Sequence, residues 1–459
     1  MKRQILYVFM LALCAATAMT SCSTEQETEA AQQAANTTGV ETSATRQPFA
    51  VYAPKKAAAL SESQVAQMEH FNNFAFELFN VIKKDGEDQV FSPLSLGYAL
   101  AMAGLGADGQ SLRELNTMLG FEADDRTSLH DLFATLTAYL TTLDDKVSLN
   151  IANAIFLNSI RSDVQLNADY RSALIDAYKA DCEALDLSEE SSLAYINDWC
   201  NRQTNGLIPE VLEQLNPEYV SYILNALYFK AGWATCFSPE RTMELDFHRE
   251  DGQTVKTEMM FHEETGCFPY TEDEVCQTVV LPYANSRFAM TAFLPKTGYV
   301  VDDVLNELTG AKLAKLLKSM DPEKEVAIGL PKFETEVTTD LSKVLPVIGI
   351  PSWFHGQGLR GIVNDLDGTP HPIWVEECFQ KARIKVDEEG SEAAAVTVIG
   401  FTDGIGNFTS FYANHPFVYL ITDLATNTIF FIGTYHGHEG DGTAGEVKHL
   451  PTGIQDIRM

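Results

Sequence analysis

Apolar positions recur at helical spacing in the first third of the chain and alternate at strand spacing later. "SESQ" at Ser61 forms a capping box, and Val65, Met68, Phe71, Ala75, Leu78, Phe79 and Ile82 then fall on one helical face. A second helix is predicted at Ser92-Pro93, a good cap followed by proline at the first helical position. A third is expected to open at Ser111, with Glu114 completing its box, and a fourth at Ser128 through "SLHDLFATLTAYLTTL". Downstream, "TVVLPYANSRFAMTAFLP" reads as two strands around a turn, "NELTGAKLAKLLKSM" as helix and "EVAIGLPKFETEV" as strand. The very apolar "HPFVYLITDLATNTIFFIGTYH" reads as a hairpin turning near Ala425 to Asn427. Helices come early and strands late, without a regular βαβ beat, so the expected class is α+β.

One segment fits no single element. In "DEEGSEAAAVTVIG", Ala393, Ala394 and Ala395 favour helix, whereas Val396, Thr397, Val398 and Ile399 favour strand. An acidic turn with Gly390 precedes them, and the loose stretch "FTDGIGNFTSF" follows.

Composition narrows the function. With 459 residues and 45 % hydrophobic content, the chain can bury a large core. Its 64 acidic against 32 basic residues give a net charge of −32, which repels phosphate backbones and argues against nucleic-acid partners. Lys2 and Arg3 precede "ILYVFMLALCAATAM" and then "TSCS", a run too short for a comfortable membrane span. Residues 1–21 resemble a bacterial lipoprotein signal that leaves Cys22 as the lipidated first residue, so the membrane is met only through a lipid anchor. The acidic "STEQETE" that follows resembles an export tag of surface lipoproteins. The expected location is the outer membrane or cell surface, with the folded part extracellular or periplasmic. Residues 22–59 read as a flexible tether, 60–438 as the folded domain and 439–459 as a polar tail.

Several apparent motifs carry no chemistry. Gly104, Gly106 and Gly109 spell G-x-G-x-x-G, but a helical run precedes them instead of a strand, so they mark a helix end. Asp365 and Asp367 lack the rest of a calcium loop. Cys182, Cys200, Cys236, Cys267, Cys276 and Cys378 show no CxxC spacing, which argues against zinc and leaves one or two disulfides open. No HExxH, GxSxG or P-loop is present, and no nucleophile stands with a base, so neither an enzyme nor a cofactor or metal is expected.

Seven blocks occur in the order and spacing of the serpin family: "VFSPLSLGYALAMAGLGADGQS", "INDWCNRQTNGLIPEVL", "LNALYFKAGW", the "VVLPY" and "FAMTAFLP" pair, "LPKFETE", "KVDEEGSEAAA" and "NHPFVYLITD" with "IFFIG". They span about Leu60 to Gly437. The resemblance implies a three-sheet α+β fold with about eight or nine helices and an exposed reactive-centre loop. It implies a monomer that traps serine proteases, and some cysteine proteases, as a suicide substrate. The cut loop would insert as a new central strand of the main sheet. A loop that must live both as solvated bait and as a strand explains the mixed segment. Its hinge would comprise Glu388, Gly390, Ser391, Glu392, Ala393, Ala394 and Ala395. Ser391, Ala393, Ala395, Thr397, Ile399 and Phe401, all uncharged, would then share the inward face.

By the same resemblance, Ser92, Ser95 and Asn225 match a polar cluster where strands part. Gln380 stands where the family often has histidine, and Trp233 matches the site where insertion begins. Counting from the hinge glycine puts Gly404 before the scissile bond, while counting back from "NHPF" gives Ile405; Gly404, Ile405 and Gly406 are the candidates. Such a bond suits elastase- or subtilisin-like enzymes better than trypsin-like ones. No basic helix face suggests heparin. Gly404 and a loop one residue longer than usual keep open a non-inhibitory serpin that is cleaved without trapping.

Overall fold

The computed structural model describes residues 60–140, 147–262, 265–284, 286–322, 324–355, 358–391 and 409–437. Among these it contains nine α-helices: α1 (Glu62–Ile82), α2 (Pro93–Gly104), α3 (Gly109–Leu119), α4 (Ser128–Leu140), α5 (Ala168–Tyr178), α6 (Glu190–Gln203), α7 (Val301–Glu307), α8 (Gly310–Ser319) and α9 (Leu345–Ile348). The capping box of α1 forms as expected: Gln64 N–H donates to Ser61 Oγ at 3.2 Å, and Ser61 N–H to Gln64 Oε1 at 3.0 Å. Ser92 caps α2 by accepting the Ser95 N–H at 3.2 Å.

Two helix boundaries differ from the sequence reading. The third helix is capped at Asp108, three residues early, and Ser111 is its third residue, accepting the Asp108 N–H at 3.1 Å. Glu114 completes no box; its carboxylate instead accepts the Ser352 N–H at 2.9 Å and the Ser352 hydroxyl. "NELTGAKLAKLLKSM" is not one helix. It breaks after Glu307, and Thr309 caps α8 by accepting the Lys312 N–H at 3.0 Å. A polar capping side chain inside a periodic run stops the helix even where the apolar spacing continues.

The largest sheet has six strands, in the order β1 (Gln89–Phe91), β20 (Thr428–Tyr435), β19 (Phe417–Asp423), β11 (Phe288–Pro295), β10 (Cys276–Pro282) and β9 (Tyr270–Glu272). Every residue of β11, β19 and β20 is buried, which is why these stretches read as continuous apolar runs instead of alternating. The expected terminal hairpin is β19–β20, and Asn427 takes the left-handed turn position. A second sheet runs β18 (Thr409–Tyr412), β12 (Glu325–Pro331), β7 (Thr254–Phe261), β6 (Ser238–His248), with β8 (Gly266–Cys267) on the end of β12. A small sheet joins β15 (Pro370–Ile373), β14 (Leu359–Asp365) and β3 (Val164–Leu166).

The remaining strands form two separate ladders. One runs β17 (Gly390–Ser391), β5 (Ser221–Gly232), β2 (Val147–Asn158), β4 (Asp181–Leu185); the other pairs β13 (Phe333–Asp340) with β16 (Phe379–Val386). β5 and β16 both border a cavity of about 530 Å³. The class is α+β as expected, and these two ladders stand on either side of that cavity.

Candidate functional site

The site is the divide between β5 and β16. On β16, Gln380, Ala382, Ile384 and Val386 are buried, while Phe379, Lys381, Arg383 and Lys385 are half-buried on the other face. On β5, Ile223, Leu227 and Phe229 pack into the main core, whereas Leu224 and Ala226 join Trp199 and Cys200 of α6. Each strand therefore has an inner face toward the core and an outer face, the period-2 pattern of a sheet.

At the upper end, the backbone closes the divide. Asp387 and Gly390 exchange hydrogen bonds, N–H to O at 3.0 and 3.3 Å, and turn β16 back on itself. Gly390 and Ser391 then pair antiparallel with Gly232 and Ala231 of β5. Gly390 has φ +145, and a Cβ there would lie 2.2 Å from the Ala231 carbonyl oxygen, so only glycine fits.

Four residues grip that turn: Trp233, Phe237, Thr242 and Lys332. Trp233 donates its backbone N–H to the Glu389 carbonyl at 2.8 Å and its indole N–H to the Asp387 carbonyl at 2.9 Å. The Phe237 N–H donates to the Glu388 carbonyl at 2.9 Å. Trp233 itself stacks on Tyr283 at 4.7 Å. The Glu388 side chain accepts from the Thr242 hydroxyl at 2.8 Å and the Lys332 ammonium at 3.1 Å. Burial alone would raise the Glu388 pKa. Hydrogen bonds from its own backbone, Thr242 and Lys332, together with the Lys332 charge, outweigh that and hold it below the usual carboxylate value.

Next to this grip, the His262 imidazole stacks between Phe237 at 4.1 Å and Phe268 at 5.0 Å. Its Nδ1 bonds the Cys236 carbonyl at 3.0 Å, and its Nε2 is buried with no partner. Burial lowers its pKa to about 4, against the opposing pull of that carbonyl.

Lower down, Ser92, Ser95, Asn225 and Gln380 all border the cavity, and they bond to different partners. Gln380 binds the main chain of Ser92: the Ser92 N–H donates to Gln380 Oε1 at 2.7 Å, and Gln380 Nε2 donates to the Ser92 carbonyl at 2.9 Å. The Ser92 hydroxyl only caps its helix, and Ser95 contributes its backbone N–H to that cap. Asn225 borders the same cavity but turns its amide to Asn153 Oδ1 at 2.8 Å and the Ala152 carbonyl at 3.3 Å, leaving its own Oδ1 buried without a partner. Sequence reasoning missed Asn153, Thr242, Phe237 and Tyr283. Lys332 lay in plain view inside "LPKFETE", but nothing local marked its partner.

Glu392, Ala393, Ala394, Ala395, Gly404, Ile405, Gly406, Cys22 and the flanking tails lie outside the described residues. The six cysteines from Cys182 to Cys378 are free thiols, so the disulfides left open by the sequence do not form. Among the described residues, no group of three or more His, Cys, Asp or Glu is arranged to hold a metal ion, and no helix is long and apolar enough to cross a membrane.

Trp233, which the resemblance matches to the site where insertion begins, lies against the turned-back end of β16. The family model described as serpin (serine protease inhibitor) matches residues 69–437. The chain belongs to the serpin family. It is 34% identical to antithrombin-III of Mus musculus over 76% of each chain. It is 31% identical to the leukocyte elastase inhibitor of Xenopus tropicalis, over 79% of this serpin and 97% of that one. The native state of the thermophilic serpin tengpin superposes with a TM-score of 0.73 at 31% identity, covering 83% of this chain and 95% of that one. Tengpin in its latent state gives 0.67 at 29% identity, covering 82% and 98%. Serpins are generally protease inhibitors.

Two predictions follow from the grip and the gate. The depressed Glu388 pKa contributes stability that is complete above the ordinary carboxylate range and is lost as pH falls through the folded value. Neutral His262 contributes stability that is complete above its ordinary 6.5 and is lost as pH falls toward about 4. Thermal stability should therefore fall on acidification through that window, and His262→Gln should flatten the upper part of the fall. At the gate, Gln380→Leu strands two buried backbone groups, at roughly 1–3 kcal/mol, while Ser92→Ala removes only a cap, at about 1 kcal/mol. Unfolding midpoints should rank in that order.

Proposed function

We propose that this serpin is an exported inhibitor of serine proteases that traps its target by inserting its cleaved loop between β5 and β16. A single observation carries the reading: the loop has already turned and paired at the top of an otherwise open divide. Continuing the Gly390–Gly232 and Ser391–Ala231 pairs down β5 sets Thr397 opposite Asn225. Continuing the Asp387–Gly390 pair down β16 sets Thr397 opposite Gln380. Both counts start from Gly390, one along each edge, and both bring a hydroxyl to the polar cluster, where Asn225 Oδ1 lacks a partner.

Both counts also turn Ser391, Ala393, Ala395 and Ile399 to the inner face, beside Phe229, Leu227 and Ile384, which belong to the core. The hinge charge at Glu392 turns outward. A filled strand gains backbone hydrogen bonds on two edges, each worth about 0.5–1.5 kcal/mol net, and buries apolar surface at roughly 25 cal/mol per Å². Trapping is a race between this gain and hydrolysis of the acyl-enzyme, so a charge on the inner face slows the side that must win.

The scissile bond falls among Gly404, Ile405 and Gly406, which favours elastase- or subtilisin-like targets with apolar pockets. The leukocyte elastase inhibitor among its relatives agrees with that class. Cys22 carries the lipid anchor, and residues 22–59 tether the inhibitory domain outside the membrane at the cell surface or in the periplasm. A second reading, a non-inhibitory serpin cut without trapping, draws on Gly404 and the extra loop residue.

Incubation with elastase and with subtilisin separates the two. The first reading predicts an SDS-resistant complex at the summed mass and a large rise in thermal stability after cleavage. It also predicts that Ala393→Asp turns most of the inhibitor into plain cleaved product. Cleaved product alone with every protease, and no stability gain, favours the second reading.

A further inference from the structure

We propose that Arg383 is a latch across the divide, and that its bond to the Leu207 carbonyl sets how readily a strand inserts. The inference rests on the insertion reading above and concerns the control of that same site.

Arg383 lies on the outer face of β16. Its guanidinium is held by Glu334 of β13, through Nε at 2.7 Å and through Nη2, with Glu336 3.5 Å from Nη1. Those contacts stay within the β13–β16 ladder. Nη1 also leaves that ladder and donates to the Leu207 carbonyl at 3.2 Å.

Leu207 belongs to the other side. It lies in the segment that leads from α6 to β5, and that segment is sewn to α6. The Thr204 hydroxyl donates to the Cys200 carbonyl at 2.9 Å and accepts the Ile208 N–H at 3.0 Å. The Asn197 amide accepts from Val211 and Leu212 N–H, both at 2.9 Å, and donates to the Leu212 carbonyl at 2.7 Å. α6 in turn packs on the β2–β5 ladder, with Trp199 edge-on to Phe156 at 5.9 Å. The Arg383–Leu207 bond therefore joins two bodies that must separate for a strand to pass.

Its position fits that role. Leu207, Tyr228, Phe229, Arg383 and Ile384 enclose a gap of only about 20 Å³, whereas the cavity farther along the divide holds about 530 Å³. The bridge spans the narrow throat between the closed top and the open lower part. A fixed guanidinium donating to a neutral carbonyl is a charge-assisted bond, roughly twice as strong as a neutral one. Glu334 aims it by taking two of its other donors.

The test uses the intact serpin and a fluorescent synthetic peptide copying residues 390–405. The expected result is that Arg383→Gln takes up the peptide about tenfold faster than wild type, the effect of losing one such bond in the barrier. Arg383→Lys, which keeps a donor, should lie between them. Glu334→Gln, which leaves Arg383 but loosens its aim, should also speed uptake. The melting midpoint of the peptide-filled protein should stay unchanged in all three, a separation that general destabilisation would not produce. Uptake at the wild-type rate in both Arg383→Gln and Glu334→Gln would overturn the latch and leave the insertion reading standing. Failure of wild type and every variant to take up peptide would overturn the insertion reading, and the latch with it.

Discussion

Two strand edges face a cavity instead of each other, and the rest of the structure depends on that. β5 from Ser221 to Leu227 and β16 from Phe379 to Arg383 line the same space of about 530 Å³. A strand edge is a row of hydrogen-bonding groups that seeks another strand. In the proposed mechanism, two such edges held apart inside one molecule keep it above the free energy it would reach with a strand between them. The segment proposed to satisfy both edges follows β16 directly: β16 ends at Val386 and β17 begins at Gly390.

In the proposed mechanism, the surrounding contacts divide into those that would start insertion and those that would restrain it. At the top, Gly390 and Ser391 are already paired with β5, in a conformation only glycine allows, and Trp233 and Phe237 hold the carbonyls of the turn. Glu388 fixes the turn to β6 through Thr242 and to the junction between β12 and β13 through Lys332. Lower down, Gln380 pins β16 to the start of α2, so β16 cannot drift without breaking two buried hydrogen bonds. On the outer face, Arg383 ties β16 to the segment behind α6. None of these contacts is large. Each is worth one or two hydrogen bonds, the scale that the proposed mechanism needs for a barrier that holds before the loop is cut and yields afterwards.

Local chemistry was legible from the sequence and tertiary separation was not. The caps at Ser61 and Ser92, the buried hairpin and the helix end at Gly104 all rest on neighbours within a few residues, and the sequence reading found them. It failed at Ser111, where a serine three residues inside a helix looks like a cap, and at Thr309, where a cap interrupts an unbroken apolar period. The divided sheet left no local trace, because a strand has the same inner and outer parity whether its neighbour is present or absent. Gln380 was recognised by position, but its partner is the backbone of Ser92, which no side-chain pattern reveals. Nothing local marks Arg383, because the Leu207 carbonyl it reaches lies 176 residues away in the sequence.

Hydrogen exchange of β5 and β16, before and after cleavage of the loop, tests the central claim most directly. An open divide that the cut loop fills gives rapid exchange at the cavity-facing backbone of 221–227 and 379–383 in the uncut protein, and strong protection of both segments once the loop is cut. Equal protection in the two states would contradict it.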